Sequence, residues 1–164
     1  MVQVDRACRG DLDQLLDIAA ARRQDYVKYQ PQFWRAAADA VDRQRDFFDS
    51  LLDDAETLLV VVREGSSVRG FAVGRLVAPP PVYDPGGPSC LVDDFAVADP
   101  ADWPSVGPPL LDAIRDWASD RGAAQLVVVT AVRDGLKREQ LEAAQLIPAS
   151  EWWVGPLRHP SRSA

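Results

Sequence analysis

The chain has 164 residues, 47% of them apolar, which suffices for one domain with a proper core and leaves little room for a second. Its formal charge of −7, from 25 acidic and 18 basic residues spread along the chain, argues against a nucleic-acid partner and suits a cationic or amine ligand. The single histidine, His159, excludes a histidine triad and a multi-histidine metal site, so no metal is expected.

No apolar run approaches the roughly 18 residues of a membrane span, and the N-terminus lacks a basic-then-apolar leader. A cytoplasmic protein that does not meet the membrane is therefore expected. In that setting Cys8 and Cys90 read as small buried apolar residues rather than a disulfide.

In chain order, Val2, Val4 and Ala7 alternate with polar residues, as in a short first strand. Asp11 stands where it can cap a helix carrying Leu12, Leu15, Leu16 and Ile18 at helical spacing, which ends near residues 23–26. Pro31 interrupts the period in an aromatic connection, and a second helix runs from about Ala36 or Asp42 to Leu52. Residues 57–62 and 70–77 are aliphatic runs joined by a short Gly/Ser segment, which predicts a hairpin. Residues 78–89 form a loop, because their prolines and glycines sustain neither ladder nor helix.

A strand is predicted over 91–97, a helix over 109–120 closed by Gly122, and a buried strand over 125–130. A short helix over 136–144 and a last strand over 152–157 complete the chain. That strand sends one of Trp152 and Trp153 to the core and the other outward, and supplies the expected route to a homodimer. The order is β-α-α-β-β-β-α-β-α-β, an α/β fold with a mixed sheet. One domain over residues 1–158 and a tail over 159–164 follow.

The stretch from Leu91 to Gly122 resembles the acyl-CoA-binding core of the GNAT acyltransferases, and the element order is also theirs. In that family an acid-bearing strand ends in an apolar-x-Val step, followed by Arg/Gln-x-x-Gly-x-Gly/Ala and a helix. Phe95, Ala96 and Val97 match the strand end, Gly107 the last small position, and Leu110, Leu111 and Ile114 the helix face. Asp102 stands where the family has Arg or Gln, and Ser105 where it has Gly.

The resemblance implies acetyl-CoA, or another acyl-CoA, as cofactor and transfer of its acyl group to an amine of a small molecule or peptide. It places the pantetheine against Phe95, Ala96 and Val97. The pyrophosphate falls on the turn of Trp103, Ser105, Val106, Gly107 and Pro108. Backbone donors matter there, and Pro104, Pro108 and Pro109 have none. Asp93 or Asp94, at the family's acid position, is the expected base, and strand alternation lets only one of them face the cleft. The family's proton-donating tyrosine maps to Leu141, four residues before Gln145-Leu146 in the Gly-Phe slot, so a general acid is missing there.

Tyr26, Tyr29, Phe33, Trp34 and Tyr83 are the expected acceptor-site aromatics, suited to a cation by cation–π contact. Two alternatives stand beside the enzyme: a non-catalytic binding or dimerisation module with a degraded CoA site, and a small-molecule sensor.

Overall fold

The computed structural model describes residues 3–157. Val2 of the expected first strand and His159 of the expected tail lie outside the described residues. The elements are β1 (Gln3–Arg6), α1 (Leu12–Tyr29), α2 (Ala40–Leu52), β2 (Thr57–Glu64), β3 (Ser67–Val77), β4 (Ser89–Val92), β5 (Phe95–Val97), α3 (Trp103–Ser119), β6 (Gln125–Val128) and α4 (Gly135–Ala143). The strands form one mixed sheet in the order β1-β2-β3-β4-β6, with β5 paired to β3 beyond the end of β4. All pairings are antiparallel except β4 with β6.

Strand alternation divides the core into two layers. Leu59, Val61, Phe71, Val73 and Ala96 face α1 and α2; Leu58, Val60, Val62, Ala72, Val92 and Phe95 face α3 and the end of α4. Helix α3 lies close against β3 because Gly70 has no side chain: a Cβ there would come within 2.6 Å of Val106 and 2.9 Å of the Ala96 carbonyl. The hairpin turn uses Gly65 in the left-handed conformation, φ 63°.

Several expectations are corrected. Asp11 makes no side-chain cap on α1; its carboxylate accepts the Cys8 N–H at 2.8 Å and binds both nitrogens of the Arg63 fork at 2.6 Å. Helix α3 starts at Trp103, six residues early, and so contains Pro108 and Pro109. The hydrogen bonds these prolines cannot make free the carbonyls of Pro104 and Ser105, both exposed residues, where the loss is tolerable. Strand β6 is half-exposed because it ends the sheet. Cys8 is exposed, and only Cys90 is buried, its thiol pushed up to about 11 by burial.

The predicted strand over 152–157 does not form: these residues have no regular structure, and Trp152 and Trp153 are both exposed. Trp152 instead sets its ring edge-on to Phe33, 5.9 Å between centroids. The expected dimer route through that strand therefore has no strand to use.

Candidate functional site

The cleft begins where β4 and β6 part. Val92 and Val128 are their last register pair, and the Val129 N–H still donates to the Val92 carbonyl at 2.9 Å. Asp93 and Asp94 then interrupt the strand, and β5 continues against β3 alone. Val73 N–H donates to the Asp94 carbonyl and Ala98 N–H to the Arg69 carbonyl, at 2.8 and 2.7 Å. Antiparallel alternation therefore ties the Ala96 backbone to β3 and turns the N–H and C=O of Phe95 and Val97 to the open side. An unpaired strand edge of that kind accepts an extended chain bearing amide groups.

The interruption also lets both acids line one cavity, against the expectation that only one faces the cleft. They are not equivalent. Asp93 is ion-paired with Arg75 at 2.6 Å, whereas the Asp94 carboxylate has, among the described residues, only the Gln44 amide, donating at 3.5 Å. Burial, with the neighbouring charge of Asp93 adding to it, pushes the Asp94 carboxyl up to about 6.

Behind them, sequence reasoning missed Lys137. Helix α4 carries it into the floor of the cleft, 1% exposed, with Nζ donating to the Val129 carbonyl at 2.9 Å and lying 5.3 Å from the Phe95 ring centre. Burial first, then repulsion from Arg22, pushes this amine down to about 7, against the pull of Asp134 and Asp94. Leu141, in the tyrosine slot, lies one turn further along α4 and lines a second cavity. Gln145 has φ 64°, the left-handed conformation, where the family pattern has Gly. That agreement in backbone supports the alignment that leaves the tyrosine slot apolar.

Asp134 was missed as well, although an acid placed three residues before Lys137 carries a helix-cap spacing. It caps α4 by accepting the Lys137 N–H, pairs with Arg22 at 2.8 Å and accepts the Tyr26 hydroxyl at 3.2 Å, so one buried carboxylate joins α1 to α4 across the cleft. Burial pushes the Tyr26 phenol up to about 12, which keeps it a donor.

The cavity in front of Asp94 has a volume of about 300 Å³. Tyr26, Phe33 and Trp34 line it, in edge-to-face contacts of 4.8 Å (Tyr26–Trp34) and 4.7 Å (Phe33–Trp34). Tyr29 packs on Tyr26 but does not line the cavity, and Tyr83 is 70% exposed in the loop at the far end of β4. Tyr26 carries a cation of the protein's own: the Arg22 guanidinium lies 5.2 Å from its ring centre and 5.4 Å from that of Trp103.

At the start of α3 the donors are fewer than a helix usually offers. Of the four N–H groups left open at a helix start, that of Asp102 donates to the Asp99 carbonyl and that of Trp103 to the Pro100 carbonyl. Pro104 has none, which leaves Ser105. The Trp103 indole is buried against Phe95, centroids 4.9 Å apart, and would meet a Cβ at Gly107 at 3.0 Å. Asp102 does not stand as a bare charge at this turn, because Arg69 binds it through two nitrogens. Val106 and Gly107 are buried in the α3 packing, while Pro108 lines the second cavity, about 250 Å³, with Phe95 and Leu141. Among the described residues no cluster of His, Cys, Asp and Glu could hold a metal ion, and no helix is long and apolar enough to cross a membrane.

No protein-family model matches the chain, and no curated protein matches it in sequence. Solved structures do match it in fold. The chain superposes on a predicted acetyltransferase with acetyl-CoA from Clostridium acetobutylicum at a TM-score of 0.72, with 15% identity over 95% of this chain and 96% of that one. For the aminoglycoside 6'-N-acetyltransferase AAC(6')-Ih from Acinetobacter baumannii the TM-score is 0.73, with 9% identity over 98% and 100%. A tetramutant of the BH1408 protein from Bacillus halodurans gives 0.81, with 12% identity over 94% and 99%. The chain thus has the GNAT fold. It is a divergent member of that fold class, similar to acetyltransferases in architecture and at these identities not in sequence.

Proposed function

We propose that this protein is an acyl-CoA-dependent N-acyltransferase that acts on an amine of a small molecule or peptide. The observation that carries the reading is the break between β4 and β5, which brings an unpaired strand edge, a half-buried carboxyl and a half-open cavity to one point. The GNAT fold of the chain, shared with acetyltransferases that bind acetyl-CoA or modify an amine, supports it.

An acyl-CoA supplies an activated thioester, whose acyl group an amine can take directly. The edge of Phe95 and Val97 suits the amides of its pantetheine arm. The turn at Trp103 to Gly107 suits the pyrophosphate less well, with Ser105 as its open first-turn donor. Asp94 is the base: an amine entering as an ammonium must lose a proton, and a carboxyl near 6 is ionised at neutral pH yet basic enough to accept one. Asp93, held by Arg75, keeps Asp94 raised and orients the interruption. Lys137 holds a proton at Nζ in the cleft floor, one turn from the apolar tyrosine slot, and is the nearest group on α4 able to give one up.

The test is acyl transfer followed by release of free thiol, with acetyl-CoA and a panel of amines. Amine-dependent thiol release that Asp94→Asn abolishes supports the reading; release unaffected by Asp94→Asn contradicts it. A second reading, a GNAT-fold binding module without catalysis, is favoured by the donor-poor start of α3, and predicts no thiol release with any amine.

A further inference from the structure

The net charge of the chain is −7, yet the cavity in front of Asp94 carries the opposite sign. Its lining includes Arg22, Arg23, Arg35 and Lys137 against Asp93 and Asp94. Partners sharpen the contrast. Arg22 is neutralised by Asp134 and Asp93 by Arg75. Arg23 has only the neutral side-chain oxygen of Gln44, and Arg35 has no hydrogen bond or ion pair among the described residues. Lys137 donates to a backbone carbonyl and not to an acid. What remains is Asp94, close enough to feel the Arg23 charge, and two guanidinium groups on the same lining, neither of them in an ion pair among the described residues.

A guanidinium is charged at every physiological pH and presents planar paired donors that match a carboxylate or a phosphate. Arg23 comes from α1 and Arg35 from the connection after it, so the two approach the cavity from separate segments. A polyamine or aminoglycoside entering here would bring several positive charges against them, while a single amine has Asp94 to meet.

We propose that Arg23 and Arg35 form an oxyanion subsite, so that the acceptor is a primary amine that also carries a carboxylate or a phosphate. The volume of about 300 Å³ has room for about ten water-sized groups, the scale of an amino acid or a phosphorylated amino alcohol. The aromatic wall of Phe33 and Trp34 covers the carbon chain between the two ends. The proposal rests on the reading of this cavity as the acceptor site, but its binding term does not depend on acyl-CoA.

The experiment is calorimetric titration of the full chain, without acyl-CoA and at low salt, with glutamate, O-phosphoethanolamine and spermidine. One of the two anionic amines is expected to bind at least about tenfold more tightly than spermidine, by the strength of charge-assisted hydrogen bonds. Preference for glutamate assigns a carboxylate, and preference for O-phosphoethanolamine a phosphate. Arg35→Gln, at an exposed position that folding does not need, and Arg23→Gln, checked by its melting curve, should each weaken the preferred ligand about 5–10-fold and leave spermidine unchanged or improved. Tighter binding of spermidine, no binding of either anionic amine, or indifference to both substitutions overturns the subsite. If the anionic amines bind and acyl-CoA does not, the subsite stands and the acyltransferase reading falls.

Discussion

At the Asp94 end of the cleft, α1, the following connection, the strand interruption and α4 each deliver a side chain to one cavity, and a buried acid joins two of the helices across it. At the α3 end, three of the four donors of a helix start are spent or missing, and an indole fills the first turn. In the proposed reaction the two ends would serve different kinds of recognition. Side chains would hold and deprotonate the acceptor, so their loss would be costly and their identity would matter. A pyrophosphate would be held by backbone donors and a dipole, and each missing donor would weaken affinity without removing the site.

The largest effect should come from the acceptor end. Asp94→Asn should lower kcat/KM by about 10²–10⁴-fold, as expected for loss of a general base. With Asp94 intact, activity should rise as pH passes upward through about 6, where the carboxyl loses its proton, and that limb should vanish in the variant. An acidic limb that survives the substitution would move the base elsewhere.

The α3 end is sharpened by restoring what it lacks. Pro104→Ala adds an N–H at an exposed position of the first turn, and should tighten desulfo-CoA about tenfold in a titration, by one hydrogen bond to a charged group. No change would mean that the pyrophosphate does not rest on this turn.

Lys137→Met tests whether a costly buried charge is kept for chemistry. The substitution should raise stability by about 1–4 kcal/mol in denaturant melts while lowering turnover. The native lysine falls from its usual 10.5 to about 7 on folding, so the unfolded chain binds the extra proton between those values. Native stability therefore rises with pH from about 7 towards 10.5, and the advantage of the methionine should shrink over that range. Higher stability with unchanged turnover would make Lys137 a packing residue.

The smallest effect is expected from Gln145→Gly, which relieves a left-handed conformation and should stabilise the fold by about 0.5–1 kcal/mol. The same denaturant melts read it.

Most of the fold was legible because it rests on local pattern. Leu12, Leu15 and Leu16 recur at helical spacing, residues 57–62 are continuously apolar, and Gly65 marks a turn, so the helices, the hairpin and the succession of elements as far as α4 could be read directly, apart from the break that splits 91–97 into β4 and β5. The last strand failed because alternating tryptophans satisfy a strand pattern without saying what they would pair with, and pairing is non-local. The α3 boundary failed because prolines were read as a start, although the buried faces of Trp103, Val106 and Gly107 already follow the helix period.

In the candidate site, Asp93 and Asp94 stand out in the sequence through their place in a motif, but their different partners, Arg75 and Gln44, are 18 and 50 residues away in sequence. Lys137 and Asp134 stand at the start of a short polar helix, where nothing local marks them as buried. Lys137 is buried by Phe95, Trp103 and the Val129 carbonyl, and Asp134 is held by Arg22 and Tyr26 of α1, all distant in sequence, and no local spacing reports that. Likewise the acidic total concealed a basic cavity, because net charge carries no information on how charges segregate in space.

The most direct test of the acyl-CoA reading is calorimetric titration of the protein with acetyl-CoA, with desulfo-CoA and ATP as controls. The free edge of β5 and the single open donor of α3 predict binding of both CoA species at roughly 10–100 µM, corresponding to about −5.5 to −7 kcal/mol, and none of ATP. No heat from either CoA species at millimolar concentration would contradict it.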